Sequence, residues 1–303
     1  MAIAILAAHC TYRPARFADR PPITRVGDEA PIPVPRPVYV PEPVYLSEVY
    51  LHRPLRAAFD ISTIPRAGDV NSVDEVPKST WFEPRPTDLG TIARGPDSEG
   101  APRAPFTVLD EPTMSAGGGF SVTDSRGIRF EIFVDPPDRP EMRTGAYAIA
   151  SHLFWALGYS TPPVLIVQAK LEDFWKTHGA AIDFEAALRS GPAPKGGVYR
   201  VAAVRWPRGQ YLGQTGEHGP RGDDPNDLVP HRDRRTLRAL RVFAAWTKLS
   251  SLGPSKTADV YEGPPGEGFV HILAQVGSQY DYALVFIHLL QQISDLDIGI
   301  SVV

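Results

Sequence analysis

The stretch "GIRFEIFVDPPDRPEMRTGAYAIASHLFWALGY" (127–159) decides the fold class, because it joins a strand to a helix. Its first part, "IRFEIFV", follows Arg126-Gly127, and together with "GGGFSVTDS" upstream it predicts a β-hairpin within 113–134. Its second part predicts a helix over about 141–157, ended by Gly158. The apolar positions at helical spacing are Ala146, Ile149, Ala150, Leu153 and Leu157. A further strand, "PPVLIVQAK" (162–170), follows, and the pattern predicts an α+β fold.

A second helix is predicted from about Pro230 to about Lys248, with Asp227 as its N-cap. Its buried stripe would consist of Leu237, Leu240, Phe243, Ala244 and Thr247. The opposite face carries Arg234, Arg235, Arg238 and Arg241. That basic face either grips phosphate or is simply solvated, and solvated arginines are the commoner case on a surface helix. A strand over 269–276 and a C-terminal amphipathic helix complete the prediction.

Composition excludes several classes of protein. The 303 residues are 43% hydrophobic and 22% charged, which is typical of a globular chain. The formal net charge of −4 gives no reason to expect nucleic acid as a partner. Cys10 is the only cysteine, so an intrachain disulfide cannot form.

The first 45 residues differ from the rest. "MAIAILAAHC" (1–10) resembles the end of a bacterial lipoprotein signal, which would attach lipid at Cys10 and place the chain at the cell envelope. It lacks a basic leader and has His9 before the cysteine, and without a signal the chain would be cytoplasmic. The following "PIPVPRPVYVPEPVY" (31–45) favours polyproline II, either as a tether or as irregular chain packed on the domain.

Residues 46–112 are predicted to be a turn-rich packing segment, and residues 113–303 to be the main domain. "YLSEVYLHRPLRAAF" (45–59) would form a short helix. Trp81 and Phe82 are a pair that requires burial. No later segment reaches the roughly 20 apolar residues that span a bilayer.

Four blocks of the sequence resemble a family of uncharacterised bacterial proteins, many of them lipoprotein-like, with a protein-kinase-like core. The blocks are "GDVNSVDEVPKSTWF" (68–82), "VDPPDRPEMRTGAYAIASHLFWALGY" (134–159), "GDDPNDLVPHRDRRTLRALRVFAAW" (222–246) and "FVHILAQVGS" (269–278). The resemblance implies a partial kinase-like core, made of a small antiparallel sheet and helices, behind a Pro-rich extended front. The family chain continues further after the Gly-Ser turn, so the helical lobe of this one would be incomplete.

The resemblance also implies that five kinase-like positions are replaced. Phe133 occupies the position of the lysine that binds phosphate, and Tyr147 occupies the position of the glutamate that pairs with that lysine. Ser251 and Lys256 stand at the Asp and Asn of the catalytic loop, and Gln275 at the metal-binding Asp. Phosphoryl transfer depends on positioning and on electrostatic stabilisation by magnesium and cations. Phe133, Tyr147, Ser251 and Gln275 supply neither, and Lys256 would place a positive charge beside a metal site, so we expect no catalytic residues.

The resemblance therefore predicts a non-catalytic, pseudokinase-like binding or scaffold protein without a cofactor, acting on an unknown protein partner and anchored to a membrane if Cys10 is lipidated. One alternative is an active atypical phosphotransferase that uses ATP and magnesium, with Lys256 or Ser250 and Ser251 in the active site. Others are a structural envelope protein that binds no small molecule, or a decayed copy.

Other candidate sites have simpler explanations. Asp223, Asp224 and Asp227 are suited to bind calcium, but turn formation and helix capping explain them as well. "DPPD" (135–138) is expected to form a turn before it is expected to bind metal. The Arg-Gly-Asp within 221–223 is too short to indicate adhesion. The eight histidines do not cluster, and "SAGGGFSV" (115–122) lacks the Lys of a P-loop.

Overall fold

The predicted hairpin lies at the centre of a six-stranded sheet in the computed structural model of the chain. Strands β2 (Phe120–Thr123) and β3 (Arg129–Phe133) pair antiparallel on either side of the turn. Asp124 shapes that turn, because its Oδ1 accepts the backbone N–H groups of Arg126 and Ile128. The hairpin prediction is confirmed.

The structure describes residues 23–38, 44, 47–52, 55, 67–86, 88–96, 99–110, 119–176, 181–216, 219–246 and 257–274. The other strands are β1 (Phe106–Leu109), β4 (Val164–Lys170), β5 (Phe174–Lys176), β6 (Val198–Arg205), β7 (Gln210–Gln214), β8 (Thr257–Glu262) and β9 (Phe269–Ala274). The helices are α1 (Leu89–Arg94), α2 (Met142–Ala156), α3 (Phe184–Arg189) and α4 (Arg235–Trp246). Short helical turns occur at Glu48–His52, Leu171–Asp173 and His231–Asp233.

The larger sheet has the strand order β4-β6-β3-β2-β1-β5, and β7, β8 and β9 form a second, antiparallel sheet. The α+β class is confirmed. The expectation of a single small antiparallel sheet is wrong, because β5 adds to β1 in parallel and a second sheet is present. Strand β1 lies in the predicted packing segment, yet it pairs with β2 across the boundary drawn at residue 112.

The larger sheet is covered on both faces. Phe130 and Ile132 of β3 point to one face, where they pack in a core that includes α3 residues Phe184 and Leu188. Phe133 points to the other face, which α2 covers. The prediction of helix α2 over 141–157 and of a strand over 162–170 is confirmed to within a few residues.

Helix α4 begins at Arg235, later than predicted, and Asp227 does not cap it. The cap is Asp69, whose Oδ1 accepts the backbone N–H of Arg235 at 2.6 Å and whose Oδ2 accepts that of Thr236 at 3.3 Å. A capping carboxylate satisfies N–H groups that the first helical turn leaves without partners. The expectation of a solvated basic face is wrong for Arg234, which is buried.

Residues 23–38 lie against the second sheet. Of the two predictions for the Pro-rich front, irregular chain packed on the domain therefore describes this part, and a tether does not. Ile32 is 3% exposed and packs with Trp81, Leu212 and Tyr261. Its N–H donates to Gly268 at 2.9 Å, and further along the Val38 N–H donates to Leu212 at 2.6 Å. The predicted burial of Trp81 is confirmed.

Candidate functional site

Two of the five predicted kinase-like positions lie side by side. Phe133 is the last residue of β3 and Tyr147 lies in the second turn of α2, with both side chains buried. Their ring centroids are 5.0 Å apart and their planes differ by 21°, which is a stacked arrangement. Val164, Ala202 and Val204 surround the pair with apolar side chains. Neither ring carries a charge that could contact phosphate.

The turn between β3 and α2 brings these two rings together. Asp135 accepts hydrogen bonds from the backbone N–H of Thr144 at 2.7 Å and from its hydroxyl at 2.8 Å. This pins the first turn of α2 beside the end of β3. Tyr147 follows Thr144 by three residues and therefore lies on the same helix face, toward the sheet. The "DPPD" segment thus serves as a turn, as expected.

A polar group that the sequence analysis missed lies on the same sheet face as Phe133. Glu131 and Ser121 face each other across β2 and β3, and both are fully buried. Arg129 donates to the Ser121 hydroxyl at 3.2 Å, and its guanidinium lies 3.5 Å from the Trp206 ring centroid. Polar residues alternate with apolar ones in β3, a pattern that normally marks a solvent-facing side. Only the packing of the whole sheet reveals a buried polar band.

The other predicted positions lie outside the described residues. Ser250, Ser251 and Lys256 fall between the end of α4 and the start of β8, and Gln275 comes directly after β9. Cys10 also lies outside the described part of the chain. Their roles remain predictions.

A second cluster of buried charges forms around His231 and Asp227. His231 Nε2 lies 2.6 Å from Asp227 Oδ2, and its Nδ1 lies 2.5 Å from the carbonyl oxygen of Gly216. Both ring nitrogens therefore face acceptors. Arg234 donates to Asp227 Oδ1 at 2.6 Å and stacks over Trp81, with its guanidinium 4.4 Å from the ring centroid.

Burial alone raises the pKa of Asp227, but the hydrogen bond and charge of His231, with Arg234, outweigh it and hold that pKa below its usual range. The neighbouring acids behave in the opposite way. Burial raises the pKa of Asp259, although Thr215 and Arg221 donate to it at 2.5 and 2.8 Å. Burial likewise raises the pKa of Asp224.

These contacts account for the acidic residues that were candidates for calcium. Asp223 lies 2.7 Å from Arg221 Nε, Asp224 accepts the backbone N–H of Asn226, and Asp227 binds His231. Within the described ranges, no set of three or more His, Cys, Asp or Glu side chains is arranged to hold a metal. The Arg221 side chain of the Arg-Gly-Asp tripeptide is 7% exposed and is paired with Asp259, so it is engaged within the fold.

The tripeptide His231-Arg232-Asp233 matches the start of the kinase catalytic-loop motif, a match that the sequence analysis did not consider. These residues form a helical turn before α4, where Asp233 accepts from the Arg238 side chain. The motif requires an Asn five residues after its Asp, and here that position is Arg238. The tripeptide therefore serves the packing of α4.

Comparison with protein families, with curated proteins and with solved structures finds no match for this chain. Among the described residues, no helix combines the length and the apolar character that crossing a bilayer requires.

Proposed function

We propose that this protein is a non-catalytic, pseudokinase-like binding or scaffold protein of the bacterial family that its sequence resembles. The observation that carries the proposal is the Phe133–Tyr147 stack. In kinases a strand lysine and a glutamate of the next helix form an ion pair that holds phosphate. Strand β3 and helix α2 of this chain meet at the two residues that the resemblance assigns to that pair, and we propose that the aromatic contact replaces the ions.

The replacement removes the chemistry while keeping the packing. Phe133 cannot neutralise phosphate, and the apolar shell around it disfavours any charge. Gln275 offers magnesium a neutral carbonyl where a carboxylate is needed, and Ser251 is a weak base at neutral pH. We propose that the packing kept around Phe133 and Tyr147 serves a scaffold that binds a protein partner. A location at the cell envelope would follow from lipid on Cys10.

The test is thermal unfolding of the full chain with ATP alone and with ATP plus magnesium, together with an assay for ADP release. A ligand at roughly 100 times its dissociation constant adds about 2.7 kcal/mol to the free energy of unfolding, which is readily measured. We expect no ADP release and no shift that requires magnesium. A shift with ATP alone would indicate a metal-free nucleotide-binding pseudokinase.

A magnesium-dependent shift together with ADP release would overturn the proposal in favour of an atypical phosphotransferase. Failure to melt cooperatively would favour a decayed copy. A cooperative melt that ATP and magnesium leave unchanged supports the scaffold, and mass spectrometry of Cys10 in cells would then test the envelope location.

A further inference from the structure

A cavity of about 400 Å³ opens where β3 ends, and neither Phe133 nor Tyr147 lines it. Strand β6 is longer than β3: Ala202–Arg205 pair with β3, whereas Val198–Arg200 extend past its last residue. The chain leaves β3 through Val134 and Asp135, and the space beside β6 stays open. Small-molecule sites typically measure roughly 300–1,000 Å³, so the cavity is large enough for a ligand.

The backbone of Arg200 faces this opening. Successive residues of a strand direct their N–H and C=O groups alternately to its two sides. The Trp206 N–H donates to Arg129 on the β3 side, so Arg200, six residues earlier in an unbroken register, points the same way. Val198 also points this way but exchanges two backbone hydrogen bonds with Lys195. Arg200 therefore presents a backbone donor at the cavity wall.

The Arg200 side chain lines the same cavity and is about one-third exposed. Among the described residues it bonds through Nη1 alone, to Asp135 Oδ2 at 3.2 Å and to the Thr144 hydroxyl. A guanidinium has five N–H donors, so those on Nε and Nη2 remain available to a ligand. Asp135 already accepts from Thr144 as well, which engages both of its oxygens.

A tight turn holds Lys195 beside Arg200. Gly196 and Gly197 have φ values of 61° and 78°, the positive pair that a type I′ turn requires. Non-glycine residues are strained there, so the two glycines allow Lys195 to return directly onto Val198. The lysine thus lines the cavity from a rigid turn.

The cavity wall also includes the polar Gln168 and several apolar side chains, among them Val134, Leu188, Val198 and the buried Tyr199. We propose that this cavity binds a small organic monocarboxylate with an apolar body. The carboxylate would accept from the Arg200 backbone N–H, the Arg200 guanidinium and Lys195, and the apolar body would lie on the wall.

The local charges favour a ligand with one negative charge over a ligand with two. Lys195 and Arg200 are balanced by Asp135 and by Glu141 at the rim. Any anion adds negative charge to this balanced set, but a dianion such as phosphate adds twice as much as a monocarboxylate, and it has no apolar body to bury. A cationic ligand would meet the two basic groups and find Asp135 already engaged. This proposal is independent of the pseudokinase hypothesis.

The experiment titrates the full chain with octanoate, 1-octanol, octylammonium and inorganic phosphate, followed by amide NMR shifts and by calorimetry. We expect saturable shifts at Gly196, Gly197 and Arg200 with octanoate, which should bind about tenfold or more tightly than octanol. Ala193→Trp fills the opening and should abolish binding. Lys195→Met should weaken it by about threefold to tenfold. Lys170→Met, an exposed lysine outside the cavity, is the charge-matched control and should leave it unchanged.

Several results would overturn the proposal. Equal binding of octanol would mean that the cavity selects only apolar chains, and tighter binding of octylammonium or phosphate would mean that the charge argument is wrong. Octanoate binding that survives Ala193→Trp, or that shifts no amide between 195 and 200, would place the ligand elsewhere. Absence of octanoate binding to a cooperatively folded chain would refute the site directly.

Discussion

Asp227 is a buried residue at which several polar contacts converge. Its two oxygens meet His231 Nε2, Arg234 Nη2 and the backbone N–H of Arg221. A buried ion pair contributes little relative to an apolar replacement, but removal of one partner leaves the other charge without compensation. The residue is therefore costly to change.

We predict that Asp227→Asn lowers the free energy of unfolding at neutral pH by about 3 kcal/mol, since it leaves Arg234 buried without its counter-charge. The variant should also change how steeply the free energy of unfolding falls at acidic pH. Because the folded-state pKa of Asp227 lies below its usual range, its contribution is present above the unfolded-state pKa and is lost as pH falls through the folded-state value. Wild type should therefore lose more stability than the variant between about pH 5 and about pH 3.

Urea unfolding across this pH range measures both effects. Asp138→Asn is the matched control, because it removes the same charge from a side chain that is 72% exposed. It should change stability by about 0.5 kcal/mol or less. Burial raises the pKa of Asp224 and Asp259, so these two acids contribute stability that is lost as pH rises. Their effect is present in both proteins and cancels when the variant is compared with wild type at each pH. If the free energy of unfolding falls equally with acid in Asp227→Asn and in wild type, the argument is contradicted.

At the scale of elements, the sequence predicts well what local spacing determines. The hairpin and α2 follow from turn residues and apolar positions within the 127–159 stretch, and the structure matches them closely. The start of α4 was misplaced because its cap comes from Asp69, 166 positions away. Local rules chose Asp227, the nearest acid, and could not detect a cap supplied across the fold.

The same limit applies to the candidate site and to the middle of the chain. Strands β5 to β7 and helix α3 were not predicted. In β6, arginines at 200 and 205 interrupt the apolar pattern of an interior strand. The proximity of Phe133 and Tyr147 was implied only by a family resemblance. The buried Glu131 was missed, because a carboxylate in an alternating strand normally faces water.

The contact between β3 and α2 gives a prediction at this scale. In a double-mutant cycle with Phe133→Leu and Tyr147→Leu, we expect a coupling energy of about 0.5–1.5 kcal/mol, as for other buried aromatic pairs. Chemical unfolding of the two single variants and the double variant measures it. Phe133→Leu combined with Lys170→Met, which lies on an exposed edge, should show no coupling.

Charged replacements extend the same cycle. Phe133→Lys and Tyr147→Glu should each destabilise the chain by about 3 kcal/mol or more, because each buries a charge without a partner. Together they should cost less than the sum of the two, since the ammonium and carboxylate would meet where the rings now stack. Additive losses would mean that this contact cannot stand in for the lysine–glutamate pair of a kinase, and would weaken the proposed function.

At the scale of the whole molecule, the segment 23–38 links parts of the chain that are distant in sequence. Asp28 accepts from the Thr80 backbone N–H and hydroxyl, both at 2.9 Å, and Ile32 fills a core between Trp81 and the second sheet. The segment therefore completes the hydrophobic core beneath β7–β9. Removal of a tether would leave that core intact, whereas removal of residues 23–38 would take away part of the core.

Ile32→Ala should consequently lower the free energy of unfolding by about 2–4 kcal/mol, the usual cost of truncating a fully buried isoleucine. Val26→Ala, at a side chain that is 37% exposed, is the control and should cost about 0.5 kcal/mol or less. Trypsin cleavage at Arg25 supplies a second readout, because docked backbone must detach before a protease can bind it. Cleavage at this site should accelerate in Ile32→Ala and not in Val26→Ala. Rapid cleavage of wild type at Arg25, with an unchanged melt in Ile32→Ala, would mean that the front of the chain is a tether after all.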